Sequence, residues 1–279
     1  HGQSSTDGSK SSDFETALMV AVDEGCLACT QSLVQHQATV NWQSVYDGYT
    51  AFLVACYHGN MNIGKYLLEQ GASIGAALTN GRNCLHLVVT SHRGGSTGGT
   101  GPSRDTTQSD KSVTSIQLLS YLLEHLKGMK DLDLKNKILN GRTNDSGGHF
   151  STHWLTPLDT AVIWNESDMA KLLIQHGAKV NAPPRKSDGM TPFTLAVSKC
   201  DEDDSDQSTV ILQLLIEAGA TAEGGGEQEY TNGNSELHRQ ASKAEFESMK
   251  VAAERAKERT AVAEDEKKAA ELEVAAAAA

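Results

Sequence analysis

Cys26 and Cys29 form a C-x-x-C pair, a spacing that supplies half of many structural zinc sites. A zinc site needs two further Cys or His ligands, and no second cysteine pair or paired histidines follow at the required spacing. Both cysteines fall at the turn and the start of a short helical pattern. We therefore predict that they pack in the core and that the chain binds no metal.

Other catalytic patterns are missing from the sequence. It contains no G-x-S-x-G, H-E-x-x-H, P-loop or dinucleotide fingerprint. The glycine-rich run GGSTGGTG at 94–101 lacks the GK[ST] that a phosphate-binding loop requires, and the ten histidines are scattered. The sequence thus predicts a protein that is not an enzyme and that uses no cofactor.

The net charge and the cysteine count narrow the class of protein. The chain carries 24 basic and 36 acidic side chains, a net charge of −12, which disfavours nucleic acid and anionic membranes as direct partners. No apolar run is long enough to span a membrane, and the N-terminus does not resemble a signal peptide. Five cysteines, an odd number without framework spacing, suit a reducing compartment. We expect a soluble, intracellular protein, cytoplasmic or nuclear, with all five cysteines as thiols.

A similar line of sequence recurs along the chain with a period of 33 to 35 residues. Within each copy, apolar residues fall at helical spacing in two short bursts separated by a turn, which predicts two short helices per copy. In three copies the position 21 residues after the starting residue begins a Gly-Ala or Gln-Ala pair. The copies start at Thr16, Thr50, Asn83, Thr156 and Thr191.

The motifs inside these copies resemble those of the ankyrin-repeat family. They are the Thr-Pro pairs at 156–157 and 191–192, the DG-x-T fragments at 47–50 and 188–191, and the LLxxGA-like ends near Leu67, Leu172 and Leu214. The resemblance implies an all-α solenoid of paired antiparallel helices with β-turn fingers. The motif residues are then expected to build the fold: Thr caps a helix, Pro occupies its first turn, and Gly ends the second helix with a left-handed turn.

The breaks in the period give the predicted domain boundaries. We expect a disordered tail at 1–12, an ankyrin-repeat domain at 13–222, a linker at 223–234 and a C-terminal helix at 235–279. That helix is either a solvated cap on the last repeat or a coiled-coil or partner helix. The repeats are predicted at about 13–45, 46–78, 79–151, 152–186 and 187–222, with insertions at 92–112, 127–151 and 201–207.

The three insertions are expected to differ in geometry. The 92–112 and 201–207 insertions interrupt helix–helix turns, so they should emerge along one edge; the first has the composition of a flexible linker, with a phosphorylatable switch as the alternative. The 127–151 insertion should emerge on the opposite edge. It is either an extended finger that enlarges the binding groove or a passive loop, and Leu132, Leu134, Ile138 and Leu139 could order it against the repeats.

The resemblance also implies which positions face a partner: those at −4, −3 and −1 from the first residue of each copy, and those at +7 and +8. Aromatic side chains and arginine are the usual hot spots of protein interfaces, so Tyr57 and Trp164 are the expected anchors. The alternative for Tyr49 is packing on its own finger. The predicted partner-binding residues are Asp23, Glu24, Tyr46, Asp47, Tyr49, Tyr57, His58, Arg82, Leu155, Ile163, Trp164 and Met190.

Two functions remain open at this point. The first is a module that binds a protein or peptide in the groove, where the acidic first repeat would suit a basic stretch of the partner. The second is a regulatory segment of a larger transcription, channel or signalling protein that docks on another domain.

Overall fold

The computed structural model describes residues 16–91, 108–144, 154–183, 190–202 and 206–221 of the 279-residue chain. The structure of these residues is helical, without strands; Ala77 and Asn83 form an isolated antiparallel bridge. The helices are α1 (Ala17–Asp23), α2 (Leu27–Gln35), α3 (Ala51–Tyr57), α4 (Met61–Glu69), α5 (Cys84–Thr90), α6 (Gln108–Lys127), α7 (Leu132–Asn140), α8 (Pro157–Ile163), α9 (Ser167–Gln175), α10 (Pro192–Glu202) and α11 (Asp206–Glu217).

The helices form two layers. The inner layer consists of α1, α3, α5, α8 and α10, each packed on the next, and the outer layer of α2, α4, α6, α9 and α11 is built in the same way. Each inner helix also packs on the outer helix that follows it. The additional helix α7 lies between the third and fourth pairs and packs against α5 and α8. The expectation of an all-α solenoid of paired helices is confirmed.

Threonine side chains begin three of the inner helices, as predicted. The Thr50 hydroxyl accepts from the backbone N–H of Leu53 at 3.2 Å, and Thr16 and Thr156 cap α1 and α8 in the same way. Each bond satisfies one of the orphan N–H groups of a helix N-terminus. Pro157 follows its cap in the first turn of α8, where its missing N–H costs nothing.

The predicted left-handed turn after the outer helix is present in three pairs. Gly71, Gly177 and Gly219 have φ of 84°, 89° and 82°, and Gln37 adopts 65° at the matching place after α2. Such conformations are strained for a residue with a Cβ and free of strain for glycine.

Neighbouring fingers stack through backbone hydrogen bonds. Three fingers are closed by a backbone bond between described residues, from Leu78 N–H to the Arg82 carbonyl at 2.8 Å in one case, and the N–H of Thr79 donates to the Asp47 carbonyl of the preceding finger at 3.0 Å. Gly48 makes this close approach possible, because a Cβ there would lie 2.8 Å from the Thr79 nitrogen. Its φ of 78° is the second reason for glycine at this position.

Asparagine side chains join successive repeats at the start of three fingers. The side-chain oxygen of Asn41 accepts from the backbone N–H of Ser73 at 2.8 Å. Two further asparagines make the same bond at 2.8 Å, and one of them, Asn140, is the last residue of α7. The insertion therefore returns the chain to the register of the other repeats. The equivalent bonds join Asn41 to Ser73, Asn140 to Lys179 and Asn181 to Thr221.

The insertion predicted at 127–151 contains the helix α7, which packs against the repeats. Ile138 and Leu139 are buried, and Leu134 packs against the core, which confirms the expectation for these three residues. Leu132 is 65% exposed, so the expectation that it packs is wrong. It begins α7 just after the cap Asp131 and lies at the solvent end of that helix.

The helix α6 begins at Gln108, inside the predicted insertion at 92–112, and residues 92–107 of that insertion lie outside the described residues. Part of the 201–207 insertion is likewise helical: α10 extends to Glu202 and α11 begins at Asp206. The predicted tail at 1–12, the linker at 223–234 and the C-terminal helix at 235–279 lie outside the described residues.

The cysteines differ from the sequence prediction. Cys26 and Cys29 are joined by a disulfide, so the prediction of five thiols is wrong for this pair. Cys29 is exposed, and the prediction that the pair packs in the core is also wrong. Cys26 caps α2 and Cys29 lies one turn later, so the two side chains meet at the helix start. Cys56 and Cys84 are buried free thiols, as predicted.

Candidate functional site

The candidate site is the groove, defined here as the surface formed by the fingers and the last turns of the inner helices. Tyr49 ends one finger and Tyr57 ends the helix that follows it, α3. Arg82 and Thr90 hold the same two places in the next repeat, at the end of a finger and of α5. The repeat thus brings four side chains from two fingers and two helices into one cluster, the central cluster of the groove.

Two tyrosines form one side of this cluster. The rings of Tyr49 and Tyr57 meet edge to face, with centroids 6.3 Å apart and an interplanar angle of 77°. Both rings are half-buried and pack against the core. Burial raises the pKa of Tyr49 to about 12, with Arg82 acting weakly in the opposite direction. The packing of Tyr49 agrees with the alternative that it supports its own finger, although neither tyrosine is fully buried.

Arg82 forms the other side. Its Nη2 donates to the Thr90 hydroxyl at 2.9 Å, and that hydroxyl donates in turn to the Leu87 carbonyl at 3.0 Å. The backbone of Arg82 is fixed as well, because its N–H donates to the Asn80 side-chain oxygen at 3.1 Å. Burial lowers the pKa of the Arg82 guanidinium, an effect that the nearby tyrosines partly oppose.

Asp23 and His58 pair with each other across the first two repeats. The distance from His58 Nε2 to Asp23 Oδ1 is 2.7 Å, and the His58 ring also lies edge to face against Tyr57, with centroids 5.1 Å apart. Their side chains remain 24% and 37% exposed for Asp23 and His58 respectively. The acidic end of the groove is therefore partly engaged by a histidine of the chain itself.

Three predicted residues lie at the rim of the groove. Tyr46 is 79% exposed, and Asp47 and Glu24 are also exposed. Val45, beside Tyr46, is 79% exposed as well, so this finger tip presents two large apolar side chains to solvent.

The predicted residues of the fourth and fifth repeats divide into two kinds. Leu155 is 3% exposed, so its assignment to the groove surface is corrected: it lies inside its finger, where its carbonyl accepts from Thr143 N–H at 3.0 Å. Ile163 and Met190 are half-buried and pack against the core. Trp164 follows α8 as its C-cap residue and is half-buried.

Polar side chains at the third position of two inner helices make buried hydrogen bonds. His86 is fully buried; its Nε2 donates to the Leu155 carbonyl at 3.0 Å, and its Nδ1 faces the cap Asn83. Asp159 accepts from the N–H of Thr156 at 2.9 Å in the next repeat. Burial lowers the pKa of His86 to about 3, so the side chain is neutral.

Sequence reasoning placed Thr90 at a groove position but gave it no role, and it missed the pairing of Asp23 with His58. Both contacts could have been predicted from the positions that these residues hold within their repeats. Arg82 at −1 and Thr90 at +7 belong to the same repeat, whereas Asp23 at +7 faces His58 at +8 of the next repeat.

A cavity of about 430 Å³ lies apart from the central cluster, between α6, α7 and α9. Glu124, Lys127, Lys135 and His176 contribute its polar lining. His176 Nε2 lies 3.1 Å from Glu124, which together with Lys127 lowers the pKa of that carboxyl. Within the described ranges no group of three or more His, Cys, Asp or Glu side chains is arranged to hold a metal ion. The described helices include none long and apolar enough to cross a membrane.

Comparison with protein families gives two matches. Residues 4–77 match the model described as "Ankyrin repeats (3 copies)", and residues 153–184 match the model described as "Ankyrin repeat".

Three curated proteins are similar to parts of the chain. "Ankyrin repeat and SAM domain-containing protein 6" of Rattus norvegicus is 43% identical over 77 residues, which are 28% of this chain and 9% of that protein. "Ankyrin repeat and KH domain-containing protein mask-1" of Caenorhabditis elegans is 31% identical over 121 residues, 43% of this chain and 4% of that protein. "Putative ankyrin repeat protein FPV031" of Fowlpox virus is 26% identical over 191 residues, 67% of this chain and 44% of that protein. The chain spans less than half the length of each of these relatives.

Proposed function

This chain contains ankyrin repeats, which are protein–protein interaction modules, and from that premise we propose that it binds a partner protein or peptide in the groove. The domain that does so is the predicted one at 13–222. Its contact surface comprises the central cluster, the exposed rim and Trp164.

The observation that carries this proposal is the central cluster itself. Tyr49, Tyr57 and Arg82 are the residue types that dominate binding energy at interfaces, and here they lie side by side. Hydrogen bonds and core packing fix their conformations before a partner arrives. Little side-chain entropy is therefore left to lose on binding, which favours affinity.

The acidic end of the groove extends the proposed contact surface to a basic segment of the partner. Glu24 is exposed and Asp23 keeps about a quarter of its side-chain surface accessible despite its bond to His58. Complementary charge at a rim mainly raises the association rate and selects the partner. We accordingly propose a partner whose basic segment lies over the first repeat.

A second candidate function is regulation within a larger protein. It is favoured by the small share of two of these relatives that the chain covers, 9% and 4%, and by their names, which combine ankyrin repeats with a SAM or a KH domain. In that case the groove would hold a segment of another domain of a longer transcription, channel or signalling protein.

We further propose that the module is non-enzymatic and intracellular, cytoplasmic or nuclear, and that it does not contact nucleic acid directly. The net charge of −12 supports the last point. The free thiols of Cys56 and Cys84 support a reducing compartment, whereas the disulfide between Cys26 and Cys29 does not support it.

The test is a selection of random peptides displayed on phage against the full chain. The affinities of the selected peptides are then measured by calorimetry for the wild type and for Tyr57→Ala, Trp164→Ala and Tyr66→Ala. Tyr57→Ala should weaken binding by about 30-fold, the loss typical of a hot spot. Tyr66→Ala is the matched control, because Tyr66 is a half-buried tyrosine of the outer helix α4. Peptides that bind Tyr57→Ala and Trp164→Ala as tightly as the wild type would place the binding surface elsewhere.

A further inference from the structure

Arg82 lies in the central cluster with few of its donors in use. The guanidinium offers five N–H donors, and within the described residues the hydrogen bond from Nη2 to Thr90 is its side-chain bond. No described carboxylate pairs with it; the ion pairs of the described residues involve His58, Lys127 and His176 instead. A half-buried cation is thus left without a counter-charge in the part of the chain that the structure describes.

The surroundings of Arg82 make this arrangement costly for the free protein. Burial in the central cluster removes the guanidinium from much of its water, and the nearby Tyr49 and Tyr57 side chains only partly offset this loss. Asp47, the carboxylate of the adjacent finger, is exposed and points its backbone carbonyl, not its side chain, into the finger stack. A carboxylate supplied from outside would complete the site with two parallel N–H···O bonds.

We propose that Arg82 is a carboxylate-binding subsite and that the partner inserts an Asp or Glu side chain between Tyr49, Tyr57 and Thr90. The occupant is a side-chain carboxylate of an extended peptide segment, selected by charge complementarity with an otherwise unpaired cation. The partner would then carry this acidic residue over the second and third repeats and basic residues over the first. This inference rests on the proposed function, since it names the chemistry of the same groove.

Fixed geometry supports a specific subsite over a diffuse charge effect. Thr90 holds the guanidinium at 2.9 Å and is itself anchored to carbonyls of α5, including that of His86 at 3.2 Å. The plane of the guanidinium is therefore set before binding. Lysine at the same position would keep the charge but lose the planar fork, so Arg82→Lys should recover only part of the affinity.

The experiment uses the peptides selected on the full chain. We expect an Asp or Glu at one constant position among peptides whose binding depends on Tyr57. A double-mutant cycle then pairs Arg82→Gln in the protein with Glu→Gln or Asp→Asn in the peptide. Each single change should weaken binding at least tenfold, and the second change should add little to the first. Lys171→Gln, which removes the same charge from the exposed side of α9, should leave the affinity within about twofold.

The outcomes separate the two proposals. Peptides that depend on Tyr57 but lack a constant acidic residue, or that bind Arg82→Gln unchanged, would overturn the carboxylate subsite and leave the groove intact. Peptides that are indifferent to Tyr57 would overturn the proposed function itself. Melting curves of Arg82→Gln show whether it folds; if it does not, the change in the peptide alone, measured on the wild type, still gives the answer.

Discussion

His58 Nε2 lies 2.7 Å from Asp23 Oδ1, and this contact ties the last residue of α1 to the residue that caps α3. The two residues are 35 positions apart, one repeat plus one residue, so that stacking of equivalent helices brings them together. The pair shows that residues about one period apart in the sequence come into contact when the repeats stack. It also engages one carboxylate oxygen of the acidic end of the groove in a contact within the chain itself.

Replacing Asp23 by Asn should lower the free energy of unfolding by less than about 1 kcal/mol. The pair is partly exposed, and exposed ion pairs contribute little because water and salt screen them. Denaturation by urea at low and high salt measures the effect, which should shrink as salt is added. Glu24→Gln is the matched control, since Glu24 is exposed in the same turn. Equal effects of the two variants at low salt would show that the Asp23–His58 contact does not contribute to stability.

Gly48→Ala should destabilise the protein by about 2 kcal/mol or more. The new Cβ would sit 2.8 Å from the Thr79 nitrogen and would force the two fingers apart, in addition to the strain of a φ of 78°. Gly71→Ala separates these two causes, because Gly71 has a φ of 84° but no atom within 4 Å of its ideal Cβ.

Thermal melting of the two glycine variants gives the comparison. Gly71→Ala should cost only the backbone strain, about 1–2 kcal/mol, and Gly48→Ala should cost more. A Gly48→Ala protein as stable as Gly71→Ala would mean that the fingers tolerate the added methyl group and that their close stacking is not required.

Acidification should destabilise the protein through His86. Its pKa is about 3 in the folded protein because burial opposes the charged ring, and it returns to about 6.5 on unfolding. Between these values the unfolded chain binds the proton and the folded chain does not, so stability falls as the pH drops through this window. From about pH 7.5 to about pH 5 the expected loss is about 2 kcal/mol.

Urea denaturation at a series of pH values tests this assignment. His86→Gln should be less stable at neutral pH, because the bonds of His86 to Asn83 and Leu155 are disturbed, yet its stability should depend less on pH. His125→Gln, at an exposed position of α6, should keep the wild-type pH dependence. The same slope for wild type and His86→Gln would show that another group causes the acid sensitivity.

The elements that repeat were predictable from the sequence, and the elements that occur once were not. Thr16, Thr50 and Thr156 recur at the same place in their copies, and each caps a helix there as expected. The helix α7 has no counterpart in other repeats to compare with, and only its last residues, Ile-Leu-Asn at 138–140, resemble the Val-Asn pairs at 40–41 and 180–181. This sequence similarity would have indicated that the regular repeat resumes at the end of α7.

The groove residues were predicted from their positions within each repeat, and this prediction fails where a finger differs in length. Tyr49, Arg82 and Leu155 hold the same position before their helices, but the first two are half-buried and Leu155 is buried. The finger that ends at Leu155 is closed by Thr143, 12 residues away, whereas the finger that ends at Arg82 is closed by Leu78. A finger of different length places its last side chain differently, and a single sequence does not reveal this packing.

Trp164 provides the sharpest test of the groove, because the chain contains a second half-buried tryptophan in a different setting. Trp42 packs against the core at the start of the first finger, whereas Trp164 caps the end of α8 at a predicted groove position. Trp164→Ala should weaken binding of a groove peptide by about 30-fold and change stability less than Trp42→Ala does. Trp42→Ala should do the reverse, losing about 3 kcal/mol of stability as buried aromatic surface is deleted. Affinity per folded molecule and melting temperature, measured on both variants, separate the two roles. A Trp164→Ala protein with lowered stability and intact affinity would place this side chain in the core and shorten the groove to the first three repeats.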